Sequence, residues 1–176
     1  MNSTYVHPPA NPEVVGIVTQ LAEGLQNIEQ IIEESREYLD QGHTLGELRG
    51  ITDEGYAALH KIAHELCDQG EFQHALPVAV QLTLHRPTDS RYSFMTGACL
   101  QRLKQFDSAA LMYALSLDVD PKHAAAAYRL AECLIAIGKP EEAKPFLHKA
   151  IDLSYGNFDK RTLMEMAQKK LDDLLR

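Results

Sequence analysis

His60, His64 and Cys67 are spaced four and three residues apart, so in a helix their side chains share one face. Two imidazoles and a thiolate are zinc donors, and on consecutive turns they could hold the ion if a fourth ligand closed the tetrahedron. The sequence offers no fourth donor beside them. Lys61 stands where an H-E-x-x-H zinc protease needs its glutamate. No Ser/His/Asp grouping, phosphate-cradling glycine loop or paired-carboxylate motif stands out elsewhere. His7, His43, His74, His85, His123 and His148 fall in loops and on outer faces. The expectation is therefore no enzyme, no cofactor and no metal, with the three residues lining a binding surface. A metal-binding protein centred on them is the alternative from another class.

The elements that must position these residues follow from a repeat. Ala75, Ala109 and Ala143 recur every 34 residues, the period of an array of tetratricopeptide helix pairs. Other columns keep the same interval: Ala63, Gly97 and Ala131 where two helices cross closely, and Leu66, Leu100 and Leu134 in the first helix. Phe72 matches Phe106, Gly70 matches Gly138 in the turn, and Pro87 matches Pro121 at the repeat end. The fold class is therefore all-α: a tetratricopeptide-repeat solenoid of three helix pairs, with an N-terminal amphipathic helix and a C-terminal capping helix.

The parts are a flexible N-terminus over 1–11, an acidic helical arm over 12–52, repeats over 56–89, 90–123 and 124–157 within 53–157, and a cap over 158–176. Helices are expected over 53–68, 72–85, 89–103, 107–118, 122–136, 140–153 and 159–175. Asn11 and Pro12 suit the start of the arm helix. Gly42 ends it, Thr44 caps a short turn through Leu48, and Thr52 caps the first repeat helix. Val14, Val18, Leu21, Leu25, Ile28 and Ile32 follow heptad spacing along the arm. That stripe must be buried, either on the chain's own repeats or in a homodimer. Pro77 and Pro145 hold equivalent places in second helices and predict a distorted first turn there, without a break.

Charge narrows the partners. The net charge of −8 lies in residues 1–55, which hold ten acids and two bases, while the remainder holds fifteen of each. Nucleic acid is not expected, because neither part supplies a basic stripe. No apolar run is long enough to span a bilayer, so no stable membrane insertion is expected. The first residues lack the basic start and apolar core of a secretory signal, which points to the cytoplasm. Cys99 and Cys133 are equivalent positions and read as small buried helix residues.

First helices line the concave side of such an array. Counting inward gives Ala57, His60, His64 and Cys67; then Arg91, Phe94, Met95, Ala98 and Gln101; then Ala125, Tyr128, Arg129, Glu132 and Ile135. The lining is aromatic, thioether and small, and it suits an apolar peptide better than a charged tail. Arrays that grip an acidic C-terminus use a clamp of lysines, asparagines and an arginine. Here His60, His64, Met95 and Ala125 hold four of those positions and only Arg129 matches.

The order of parts resembles the class II chaperones of bacterial type III secretion systems, which guard translocator proteins. The resemblance rests on GHTLGELRGIT (Gly42 to Thr52), on Leu59 to Ala75, on Gly97 to Pro121 and on Ala126 to Ala143. It implies a bacterial cytoplasmic protein that binds hydrophobic translocators, keeps them soluble and passes them on for export. The family's groove implies an extended client segment with a Pro-x-Leu-x-x-Pro pattern, held by tyrosines and a later aromatic. His60, His64 and Cys67 stand where such tyrosines stand, Tyr113 matches the later aromatic, and Ala79 replaces a common phenylalanine. These departures imply a wider or more polar pocket. A generic tetratricopeptide scaffold or co-chaperone is the runner-up.

Overall fold

A computed structural model describes Glu33 and residues 36–176 of the chain. The helix expected over the arm, with Val14, Val18, Leu21, Leu25, Ile28 and Ile32, lies outside the described residues up to residue 32. Two compact units meet in sequence at Pro87 and Thr88.

In the first unit, α1 (Arg36–Asp40) ends shortly before Gly42. α2 (Leu45–Leu48) begins at a reciprocal cap: Thr44 Oγ1 accepts from the Glu47 amide at 3.2 Å, and Glu47 Oε2 accepts from the Thr44 amide at 2.8 Å. Those bonds favour the ionised carboxyl and hold Glu47 below its ordinary pKa. α3 (Asp53–Asp68) starts where expected, with Thr52 Oγ1 accepting from the Gly55 amide and Asp53 and Glu54 at the positive end of the dipole. α4 (Phe72–His85) packs back against α3, and Ala63, Ala75, Val78, Ala79 and Leu82 have no exposed surface. Burying a side chain the size of Leu82 contributes roughly 1.5 to 3 kcal/mol.

The lead-in is pinned to this pair by polar contacts. Tyr56 donates its hydroxyl proton to the His85 carbonyl at 3.1 Å, and Arg49 Nη1 donates to His85 Nε2 at 3.1 Å. Gly46 lies so close that a Cβ there would overlap the Tyr56 hydroxyl and stand 2.8 Å from the His85 carbonyl oxygen. The stretch before the first repeat is thus a fitted part of the first unit.

The second unit holds α5 (Ser90–Arg102), α6 (Phe106–Val119), α7 (Ala124–Ala136), α8 (Pro140–Ser154), a 3₁₀ turn (Phe158–Lys160) and α9 (Arg161–Leu174). Consecutive helices pack on each other, and α9 also reaches α7. The second helices α4, α6 and α8 begin at Phe72, Phe106 and Pro140, which keeps the interval of the alanines. Ala109, Ala131, Ala143, Leu147 and Ala150 are fully buried. α4 and α8 run through Pro77 and Pro145 without a break.

The all-α architecture of helix pairs with a closing helix is therefore the one expected, and the repeat-helix boundaries agree within two residues. The C-terminal segment differs slightly. Asn157 Oδ1 accepts from the Asp159 amide at 3.0 Å, which tightens Phe158–Lys160 into a 3₁₀ turn before α9 proper begins. Among the described residues no helix is long and apolar enough to cross a membrane.

Candidate functional site: an aromatic and apolar face on first helices

In the second unit, α5 offers Arg91, Phe94, Met95, Ala98 and Gln101 at helical spacing; Arg91 is exposed and the others are half-buried. Arg91 is held by the cap of its own helix, its Nε and Nη2 donating to the two Asp89 carboxylate oxygens at 2.9 and 2.6 Å. Its charge is thereby directed at its neighbour and away from the apolar residues that follow.

Phe94 is the centre of an aromatic cluster. Its ring centroid lies 5.5 Å from that of Tyr113 and 4.7 Å from that of His123, the latter nearly parallel at 24°. Tyr113 of α6 is completely buried and donates its hydroxyl proton to Gln101 Oε1 at 2.8 Å. Burial pushes its pKa well above the ordinary tyrosine value. Tyr128 is also buried, and burial together with nearby Glu132 pushes its hydroxyl up to about 12. Both tyrosines therefore support the face from beneath and add no open surface to it. Half-buried Ala125 and Ile135 flank them on α7.

The only carboxylate counted into the lining is neutralised locally. Glu132 Oε2 accepts from Arg129 Nη1 at 2.8 Å and from Gln101 Nε2 at 3.3 Å, while Oε1 accepts from Lys170 Nζ of α9 at 3.2 Å. Burial opposes the charge, but Arg129 and Lys170 outweigh it and hold Glu132 below the usual carboxylate range. Arg129 itself is exposed, and its guanidinium lies 5.9 Å from the Tyr128 ring centre. The resulting surface has aromatic and small apolar groups at its middle and paired charges at its edge.

The chain is similar to proteins already known. A tetratricopeptide repeat model matches residues 100–154. Low calcium response locus protein H of Yersinia pestis is 29% identical over 116 residues, covering 66% of this chain and 69% of the relative. The type III secretion chaperone SycD of Yersinia enterocolitica, solved with a peptide of the translocator YopD, matches at 26% identity and a TM-score of 0.69, covering 71% of this chain and 95% of that one. A type III secretion complex from Aeromonas hydrophila shares the fold at a TM-score of 0.76 and 23% identity, covering 81% of this chain and 95% of that one. This chain is similar to the type III translocator chaperones.

In this translocator-chaperone-like chain the remaining residues expected in a lining stand on α3 of the first unit. Ala57 and His64 are exposed, and His60 and Cys67 are half-buried. The two imidazoles meet edge to face with centroids 6.3 Å apart, and His64 Nδ1 lies 3.1 Å from Asp68 Oδ2. Among the described residues no three His, Cys, Asp or Glu side chains are grouped to hold a metal ion. Cys99 and Cys133 are fully buried, and burial pushes the Cys133 thiol up to about 11, which disfavours the reactive thiolate.

His123 was missed by sequence reasoning, which placed it among scattered outer histidines. It caps α7, its Nδ1 accepting from the Ala126 amide at 3.1 Å, and it stacks on Phe94. A signal was present: His123 occupies the same repeat column as Asp89, which caps α5. Lys170 of the closing helix also joins these residues, reaching Glu132.

Proposed function

We propose that this chain is a non-enzymatic chaperone of type III secretion that holds an extended, apolar segment of a hydrophobic translocator. The segment lies against the first-helix face carrying Phe94, Met95 and Ala98 in the second unit; the first-helix face carrying Ala57, His60, His64 and Cys67 is a separate candidate contact within the first unit. The observation that carries this reading is the local neutralisation of Glu132 and Arg91 around the aromatic cluster. A face with its charges already paired neither attracts an acidic tail nor repels an apolar chain. An extended peptide brings unpaired backbone groups and alternating side chains, which a half-buried face can receive without the client folding.

Shielding the segment removes sticky surface from solution, and no bond is made or broken. The setting is the bacterial cytoplasm, before export. The heptad residues Val14, Val18, Leu21, Leu25, Ile28 and Ile32 fit a second role in pairing two copies, or in covering the chain's own repeats.

Co-expression with the full-length hydrophobic translocator of the same secretion system is the direct test. A soluble complex, and an insoluble translocator when the chain is left out, is the expected outcome. A translocator that stays insoluble in both cases, with no complex recovered, would sink the proposal in favour of a generic repeat scaffold.

A further inference from the structure

His123 is held by two constraints at right angles in function. Its Nδ1 accepts the Ala126 amide proton at 3.1 Å, so that nitrogen is unprotonated, and the proton of the neutral ring must sit on Nε2. Its ring face is stacked on Phe94 at 4.7 Å, and Phe94 in turn leans on buried Tyr113. Neither contact uses Nε2–H. The hydrogen bond of the ring to another residue is the one at Nδ1, and the side chain is half-buried. Burial, the largest influence, holds the imidazole below its ordinary pKa and outweighs nearby Asp120 and a hydrogen bond to the residue's own main chain, with Lys160 acting in the same direction as burial. The neutral, single-tautomer ring therefore persists at neutral pH.

The result is an N–H donor fixed at the edge of an apolar aromatic surface. Its natural complement is a lone acceptor next to an apolar side chain, which is what the main-chain carbonyl of an extended segment presents. We propose that His123 is a client contact whose Nε2–H donates to a main-chain carbonyl of the extended segment lying over Phe94. This rests on the groove reading above and adds to it a rule of specificity: recognition by the client's backbone at one fixed point, with side-chain freedom beside it.

The test uses the full chain and a probe peptide selected by panning a random twelve-residue library on it. Ester-for-amide replacement along that peptide weakens one carbonyl acceptor at a time and removes the N–H of the same bond, so the effect is read by comparison with the His123 variant. His123→Ser keeps a hydroxyl to cap α7 while removing the ring; His123→Asp serves if the serine variant is poorly folded by circular dichroism. At one ester position the wild type should lose about five- to tenfold in affinity, the effect of one hydrogen bond. His123→Ser should bind the unmodified peptide about tenfold more weakly and be indifferent to that ester, a coupling that a merely structural role would not produce. Nitrogen NMR of the histidines should show the Nε2–H tautomer for His123.

Wild-type affinity in the serine variant, an unchanged ester effect in it, or the Nδ1–H tautomer would each overturn the contact. Phe94→Glu separates the two levels. If it abolishes binding while His123→Ser does not weaken it, the groove stands and the contact falls. If Phe94→Glu binds as well as wild type, or the library yields no binder, the groove reading fails and takes the contact with it.

Discussion

The ring of Tyr113 lies directly over Gly97: a Cβ at that glycine would stand 2.9 Å from both Cδ1 and Cε1. The same column holds Ala63 and Ala131 in the other repeats, and the column of Tyr113 holds Ala79 and Leu147. The largest residue of one column is thus matched by the smallest of the other. Because Tyr113 also bonds Gln101 and supports Phe94, this fit sets the height of the aromatic face.

Gly97→Ala should therefore destabilise the chain by about 1 to 3 kcal/mol, the usual cost of overpacking. Urea denaturation followed by circular dichroism measures it. Adding Tyr113→Leu, which reproduces the Ala131 and Leu147 combination of the third repeat, should recover part of the loss. A Gly97→Ala variant as stable as wild type would mean that the ring moves aside at no cost.

Lys104 is the second expected gain or loss to measure. It adopts a left-handed conformation, φ 62°, at the turn where the other repeats place Gly70 and Gly138, both at φ 80°. A side chain there is disfavoured by roughly 1 kcal/mol, partly offset by the greater unfolded entropy of glycine. Lys104→Gly should leave the fold intact and raise stability by about 0.5 to 1 kcal/mol. A lower thermal midpoint would show that Lys104 makes a contribution beyond its backbone.

These two sites also show what the sequence could and could not disclose. The alanine columns and turn glycines were legible because a repeat forces the same steric problem at the same interval, and Lys104 betrayed itself as the exception. That Phe94, Met95, Ala98 and Gln101 follow one another at helical spacing on α5, and Ala125, Tyr128, Arg129, Glu132 and Ile135 on α7, could be counted because the phase of each helix is fixed by the repeat. The depth of Tyr113 and Tyr128, both buried beside the proposed face, was not legible, since periodicity gives a direction and not a distance below the surface. Lys170 could not be paired with Glu132 in advance, because α9 stands outside the repeat and its register against α7 is set by packing alone.

A pH dependence follows from His85. Its Nε2 accepts from Arg49, and burial first, then the Arg49 charge, lowers its pKa to about 4. The folded chain keeps this histidine neutral, whereas the unfolded chain protonates it near the ordinary value of about 6.5. Stability is then full above about pH 6.5 and is lost as pH falls toward 4, by up to roughly 3 kcal/mol from this group. His123, also held below its ordinary pKa, adds a loss of the same sign. Denaturation midpoints should hold level from pH 8 to about 6.5, the unfolded value, and then fall toward pH 4, less steeply in His85→Gln than in the wild type. An equal slope in both would remove His85 from the account.

The client face can be told apart from its main rival by one pair of charges. Leu111 of α6 is 68% exposed and borders a cavity of about 400 Å³ with Ala110, Ala114, Leu134, Ile137 and Phe146, none of which belongs to the lining counted from the repeat. By exposure alone it is a better candidate for docking than half-buried Phe94. Phe94, however, is fixed by Tyr113 and His123 and is bordered by neutralised charges, so a bound segment would meet a preorganised surface there. A glutamate at 94 would place an unpaired charge in the middle of that surface, and client binding should be lost with helical content unchanged. A glutamate at 111 reaches solvent freely and should leave binding within about twofold of wild type, a surface substitution of small effect. Both variants can be compared in one co-purification with the translocator. Loss in Leu111→Glu with retention in Phe94→Glu would move the client to the other cavity.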